Sequence, residues 1–156
     1  MAYEKSMYAG AAHASTALAG EFIGILSGPD PESVRSGLDA AFLLIREKAH
    51  FYTANEAETV VYYAHCISRT GSYLSAQAKI RAGGSMAYLI APPLEATVGL
   101  DAALKAADVE LRVYYGPPTE TNFSGALLSG SQAACQAACE AFADAVCRVA
   151  GEPSQY

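Results

Sequence analysis

The sequence predicts an α/β (α+β) fold: an antiparallel-type sheet with helices packed on one face. Three observations carry this. Val109, Leu111, Val113 and Tyr115 alternate with Glu110, Arg112 and Tyr114, the two-residue period of a half-buried strand. Cys135, Cys139, Phe142, Val146 and Val149 recur at spacings of four and three, which makes one buried helical stripe. From residue 85 the segments run strand, helix, strand, strand, helix. The first of these helices serves as a crossover and the next two strands can pair as a hairpin.

Each element has its own signal. Residues 20–27 read as a short strand ending at Gly28. Asp30 then offers an N-cap carboxylate, Pro31 takes the first helical position and Glu32 lies in the first turn. Val34, Leu38, Ala41, Phe42 and Ile45 give this helix its apolar face, and it fades near Lys48. Residues 49–84 leave two assignments open, because 59–67 suits a strand by composition and a helix by length. Arg69 to Ser72 interrupts that run, and Gly83-Gly84 closes it. Residues 86–91 form a buried strand stopped by Pro92-Pro93. Leu100, Ala103, Leu104 and Ala107 then make a small helical face. A loop over 116–123, a strand over 124–129 and the helix of the cysteine stripe complete the unit.

Composition narrows the function. A chain of 156 residues holds one domain, or one domain with part of another. Its apolar content of 52% argues against disorder, and no apolar run approaches the ~20 residues of a membrane helix. The N-terminus lacks the basic start and apolar block of a signal peptide, so a cytoplasmic location is expected. A net charge of −6 with ten Lys plus Arg would repel nucleic acid but not small amines. Cysteine on an apolar helical stripe acts as a small hydrophobe, whereas zinc would want paired Cys or His ligands. His13, His50 and His65 are scattered, and no catalytic triad, phosphate loop or carboxylate pair stands out, so an enzyme is not predicted.

Leu26-Ser27-Gly28 and Leu128-Ser129-Gly130 each precede a helix, and Phe42 and Phe142 follow at matching places. This echo suggests a duplicated unit. More specific stretches are residues 8–13 (YAGAAH), 68–75 (SRTGSYLS), 91–97 (APPLEAT), 101–105 (DAALK) and 130–135 (GSQAAC). Together these resemble the ethanolamine-utilisation shell proteins of bacterial microcompartments, which carry two circularly permuted copies of a shell domain. The resemblance runs from Tyr8 through nearly the whole chain. It implies that residues 1–48 are the C-terminal remnant of a first shell domain, and that 49–156 form the second.

The resemblance also implies a shell component in the cytoplasm: a homotrimer that imitates a hexagon, joins other shell proteins and surrounds a gated pore. No membrane or nucleic-acid partner is implied. Family members bind ethanolamine in small pockets, and Glu21, Phe51, Glu120, Thr121 and Asn122 match the positions that form them. Carboxylates at Glu21 and Glu120 suit an ammonium ion. Phe51 offers it an aromatic face, and Thr121 and Asn122 offer hydrogen bonds. The family pocket also draws two aspartates from a part preceding Tyr8, so this chain is expected to bind ethanolamine weakly or not at all. Zinc is a lesser expectation, with Glu21 as its candidate ligand; no other cofactor is implied. A soluble oligomeric ligand-binding regulatory domain of similar architecture is the alternative, distinguished by forming discrete oligomers without lattices.

Overall fold

The computed structural model describes residues 26–47, 51–117, 119 and 121–152. The chain divides into two units, Met1–Ala49 with Gly71–Tyr73 and His50–Thr70 with Leu74–Tyr156. In the first unit, helix α1 spans Pro31–Glu47. Its cap is the one the sequence predicts: Asp30 Oδ1 accepts from the Ser33 amide at 2.8 Å, and Oδ2 accepts from the Ser33 hydroxyl at 2.8 Å. Those bonds hold the Asp30 carboxyl below its usual range. The predicted strand at 20–27 lies mostly outside the described residues, and Leu26 and Ser27 are not in a strand. Phe42, expected on an inner face, is 71% exposed. Leu26 closes on the helix at Gly37 instead, where a Cβ would collide with the leucine side chain.

The second unit is built on a five-stranded sheet. Its strands are β1 (Tyr52–Thr53), β2 (Val61–Ile67), β3 (Ser85–Ala91), β4 (Val109–Tyr115) and β5 (Ser124–Gly130). Their order is β1-β2-β3-β5-β4, and every neighbouring pair is antiparallel. The short helix α2 (Ser72–Ala78) follows β2, α3 (Pro93–Ala106) follows β3, and α4 (Gln132–Gly151) follows β5. The open assignment at 59–67 thus resolves as a strand. Tyr62, Ala64 and Cys66 of β2 pack on the main core, while Ile67 packs on the opposite face. That alternation is a strand's, and a helix could not supply it.

The two long helices lie on one face, as expected. Ala87, Leu89 and Ala91 of β3 and Ala126 and Leu128 of β5 share a core with Leu100 and Ala103 of α3 and Cys135, Cys139, Phe142 and Val146 of α4. Leu104, assigned to the same helical face, points outward instead and is exposed. Ser131 caps α4, its hydroxyl accepting from the Ala134 amide at 3.1 Å. On the other face Met86 and Leu127 are covered by Leu74, Ala78 and Ile80, in the segment whose assignment was open.

The hairpin of β4 and β5 departs from simple alternation. Leu111 stands opposite Leu128, but Val113 stands opposite Leu127, so the register shifts at Arg112. This bulge moves Val113 and Tyr115 to the face opposite Val109 and Leu111. Arg112 is held there by Ser129 Oγ at 2.7 Å and by Glu110 at 2.6 Å.

All four cysteines are free thiols, and the stripe reading holds: Cys135 and Cys139 are buried in the core. Burial pushes the Cys139 thiol up to about 12. In the folded chain its thiolate fraction near pH 8 is therefore far below that of a free cysteine. Iodoacetamide followed by peptide mass spectrometry should therefore modify Cys139 only after denaturation. Because the folded value is raised, the stabilising contribution is complete below the ordinary thiol value of 9.0 and is lost as pH climbs toward about 12. Urea melts at pH 8 and 10.5 should show the lower midpoint at 10.5.

Candidate ligand-binding site

A cleft of about 340 Å³ opens on the sheet face away from α3 and α4. Tyr88 and Ile90 come from β3, Tyr115 from β4, Ser124 and Gly125 from β5, and Thr119, Thr121 and Phe123 from the loop before β5. Strand register brings them together. Gly125 stands opposite Ile90 on one side and Tyr115 on the other, so the bulge at Arg112 is what turns Tyr115 into the cleft. Glycine is required at this floor position: a Cβ on Gly125 would lie 2.5 Å from the Leu89 carbonyl oxygen, a backbone atom that cannot swing aside.

The loop is fixed by its own hydrogen bonds. Thr119 Oγ1 donates to the Phe123 carbonyl at 2.6 Å, and the Asn122 amide donates to the Thr119 carbonyl at 3.1 Å. Ser124 Oγ donates to the Tyr115 carbonyl at 2.8 Å, tying the loop's end to β4. Asn122 has φ +60°, in the left-handed region where asparagine is tolerated better than most residues.

Aromatic rings frame the cleft. Phe51 lies 6.1 Å from Phe123 and 5.9 Å from Tyr63, and Tyr63 meets Tyr88 edge-on at 5.9 Å. Burial, and then Tyr88 beside it, push the Tyr63 phenol above its usual range, so it stays neutral at physiological pH. No described lining residue carries a formal charge. The described cleft therefore has aromatic faces and hydroxyls but no acid–base pair. It can hold a small ligand.

Of the five candidate residues, Thr121 lines the cleft and Phe51 reaches it through Phe123. Asn122 is exposed and shapes the turn. Glu21 and Glu120 lie outside the described residues, so Glu21 as a zinc ligand is not placed either. Among the described residues no three His, Cys, Asp or Glu side chains converge as a metal set, and no helix is long and apolar enough to cross a membrane. His13 and His50 are also outside, while His65 is exposed on β2, with its ring 5.9 Å from that of Tyr63. Tyr63, Tyr88, Tyr115, Thr119 and Phe123 were not among the candidates. The three tyrosines sit on three different strands and Thr119 and Phe123 in the loop before β5, so only the pairing of the strands shows them as neighbours.

No protein-family model matches the chain. It is 63% identical over 151 residues to the bacterial microcompartment shell protein EutL of Clostridium perfringens, covering 97% of this chain and 70% of the relative. It is 57% identical to the EutL shell protein of Escherichia coli, covering 98% and 70%. The crystal structure of ethanolamine utilization protein EutL from Leptotrichia buccalis superposes with a TM-score of 0.78 at 62% identity, covering 97% of this chain and 70% of that one.

Fold and relatives together define a structural shell protein of a bacterial microcompartment. Within that class the chain belongs to the EutL family, and it spans about 70% of the length of the relatives it matches.

Proposed function

We propose that this chain is a non-catalytic building block of an ethanolamine-utilisation shell, self-associating as trimers that tile with other shell proteins around a gated metabolite pore. In this reading residues 1–48 are the C-terminal remnant of one shell domain and residues 49–156 form a second. The observation that carries the proposal is 63% identity with a shell protein over 97% of the chain. No cofactor enters this function. A repeated edge interface suffices to close a ring, and the ligand acts by favouring one pore state.

The cleft beside Thr121 is read as the ethanolamine pocket, with Phe51 and Phe123 beside the cation, and Glu21 and Glu120 are the carboxylates that the family resemblance assigns to such a pocket. Thr119, Thr121 and Ile90 line it and carry methyl groups that report occupancy by NMR. Ethanolamine should shift those signals with weak affinity, in the millimolar range that corresponds to about −4 kcal/mol. Thr121→Val and Glu120→Gln should each weaken binding by about threefold or more. Equal affinity in wild type and both variants would remove the cleft from the ethanolamine reading.

A further inference from the structure

We infer that Arg69, Lys79 and Arg81, gathered around the turn that leads into β3, form a docking surface for an acidic segment of a partner protein. This goes beyond the ethanolamine reading and does not depend on it. The turn joins β3 at Ser85, whereas the cleft takes Tyr88 and Ile90 farther along that strand.

The distribution of charge points to the patch. The chain holds sixteen Asp plus Glu against ten Lys plus Arg, yet no acidic residue lies between Glu58 and Glu95. Arg69, Lys79 and Arg81 are all exposed within that stretch, and among the described residues none of them forms an ion pair. Lys105 and Arg112, by contrast, are paired with Asp101 and Glu110. Asp108 leads into β4 at the same end of the sheet, but β3 and β5 separate β4 from β2. Three strand spacings amount to about 14 Å. Exposed charges more than ~8 Å apart are largely screened at physiological salt, so the field at the turn is positive although the whole chain carries −6.

Backbone hydrogen bonds fix the patch. The Gly84 amide donates to the Arg81 carbonyl at 3.2 Å and closes the turn, with Gly83 at φ +87°. The Gly83 amide donates to the Thr70 carbonyl at 3.0 Å, and the Thr70 amide donates to the Gly84 carbonyl at 2.9 Å. Arg69 is thereby held beside the turn that carries Arg81: a Cβ on Gly83 would lie 3.8 Å from Arg69 Nε. A surface ordered in advance loses less entropy when a ligand docks. The chemistry of that ligand follows from the side chains. A guanidinium presents a planar fork of N–H donors that matches a carboxylate. The three cations are exposed rather than enclosed, so they suit successive carboxylates along a peptide rather than one engulfed anion. A nucleic-acid strand would carry its denser charge across the acidic remainder of the chain.

The test is a titration of the whole chain with hexaglutamate, with hexaglutamine, with glutarate as a free dicarboxylate, and with single-stranded hexathymidylate. The Gly83 and Gly84 amide signals and the Ile80 methyl signals follow binding by NMR. Hexaglutamate should bind about fivefold or more tightly than any of the other three. Raising NaCl from about 50 to about 300 mM should weaken it by about threefold or more. Arg69→Gln and Arg81→Gln should each cost about threefold or more, while Lys105→Gln leaves binding unchanged. Glutarate binding as tightly as hexaglutamate overturns the inference, since the patch would then take a free carboxylate and not a segment. Tighter binding of hexathymidylate overturns it in favour of nucleic acid. Equal response to hexaglutamine, insensitivity to salt, or unchanged affinity in both arginine variants overturns it as well.

Discussion

Phe142→Ala is expected to lower the unfolding free energy by about 3–5 kcal/mol. The side chain is 1% exposed and is the largest of the fully buried ones. It projects from α4 into a core shared with α3 and with the β3 and β5 strands. Truncation removes apolar contact and leaves a cavity that those rigid elements cannot close fully. For a domain with a typical stability of roughly 5–15 kcal/mol this is a large fraction of the whole. Urea and thermal unfolding followed by circular dichroism should show a midpoint lowered by about 10 °C or more. A loss below about 1 kcal/mol would mean that the ring is not the keystone of the α3–α4 layer.

Gly99→Val is the second large effect. A Cβ at Gly99 would stand 2.7 Å from Phe142 Cδ2, 2.9 Å from Cε2 and 3.1 Å from Val146 Cγ2. Glycine is therefore present in the middle of α3 because α4 comes too close for a side chain, despite the propensity cost of about 1 kcal/mol. Valine should destabilise by about 2–3 kcal/mol through overpacking. The effect should shrink when Phe142 is replaced by leucine, since the clash is with the ring's edge. Unfolding of the two single variants and the double variant measures this coupling directly. Strict additivity of the two changes would contradict the contact.

These two residues show how far the sequence could be read. Phe142 was legible, because the four-and-three spacing from Cys135 to Val146 permits one buried face, and that face is the one observed. The Asp30 cap was equally legible, since a cap depends on three or four consecutive residues. Gly99 was not, because the need for glycine comes from Phe142 and Val146, more than forty positions away. The bulge at Arg112 escaped for a similar reason. Alternating hydrophobicity runs through 109–115 unbroken, and only pairing with β5 reveals that the last residues change face. The cleft depends on that change, so Tyr115 could not be placed in it beforehand. Thr121 and Phe51 entered through resemblance, whereas Tyr88 is placed in the cleft by strand register.

Negative-stain electron microscopy of the purified, concentrated chain tests the shell assignment most directly. A microcompartment building block should form triangular or hexagon-like particles that tile into flat two-dimensional arrays, with the repeat visible in their diffraction. Dispersed single subunits at every concentration, or discrete oligomers that never form a lattice, would contradict it.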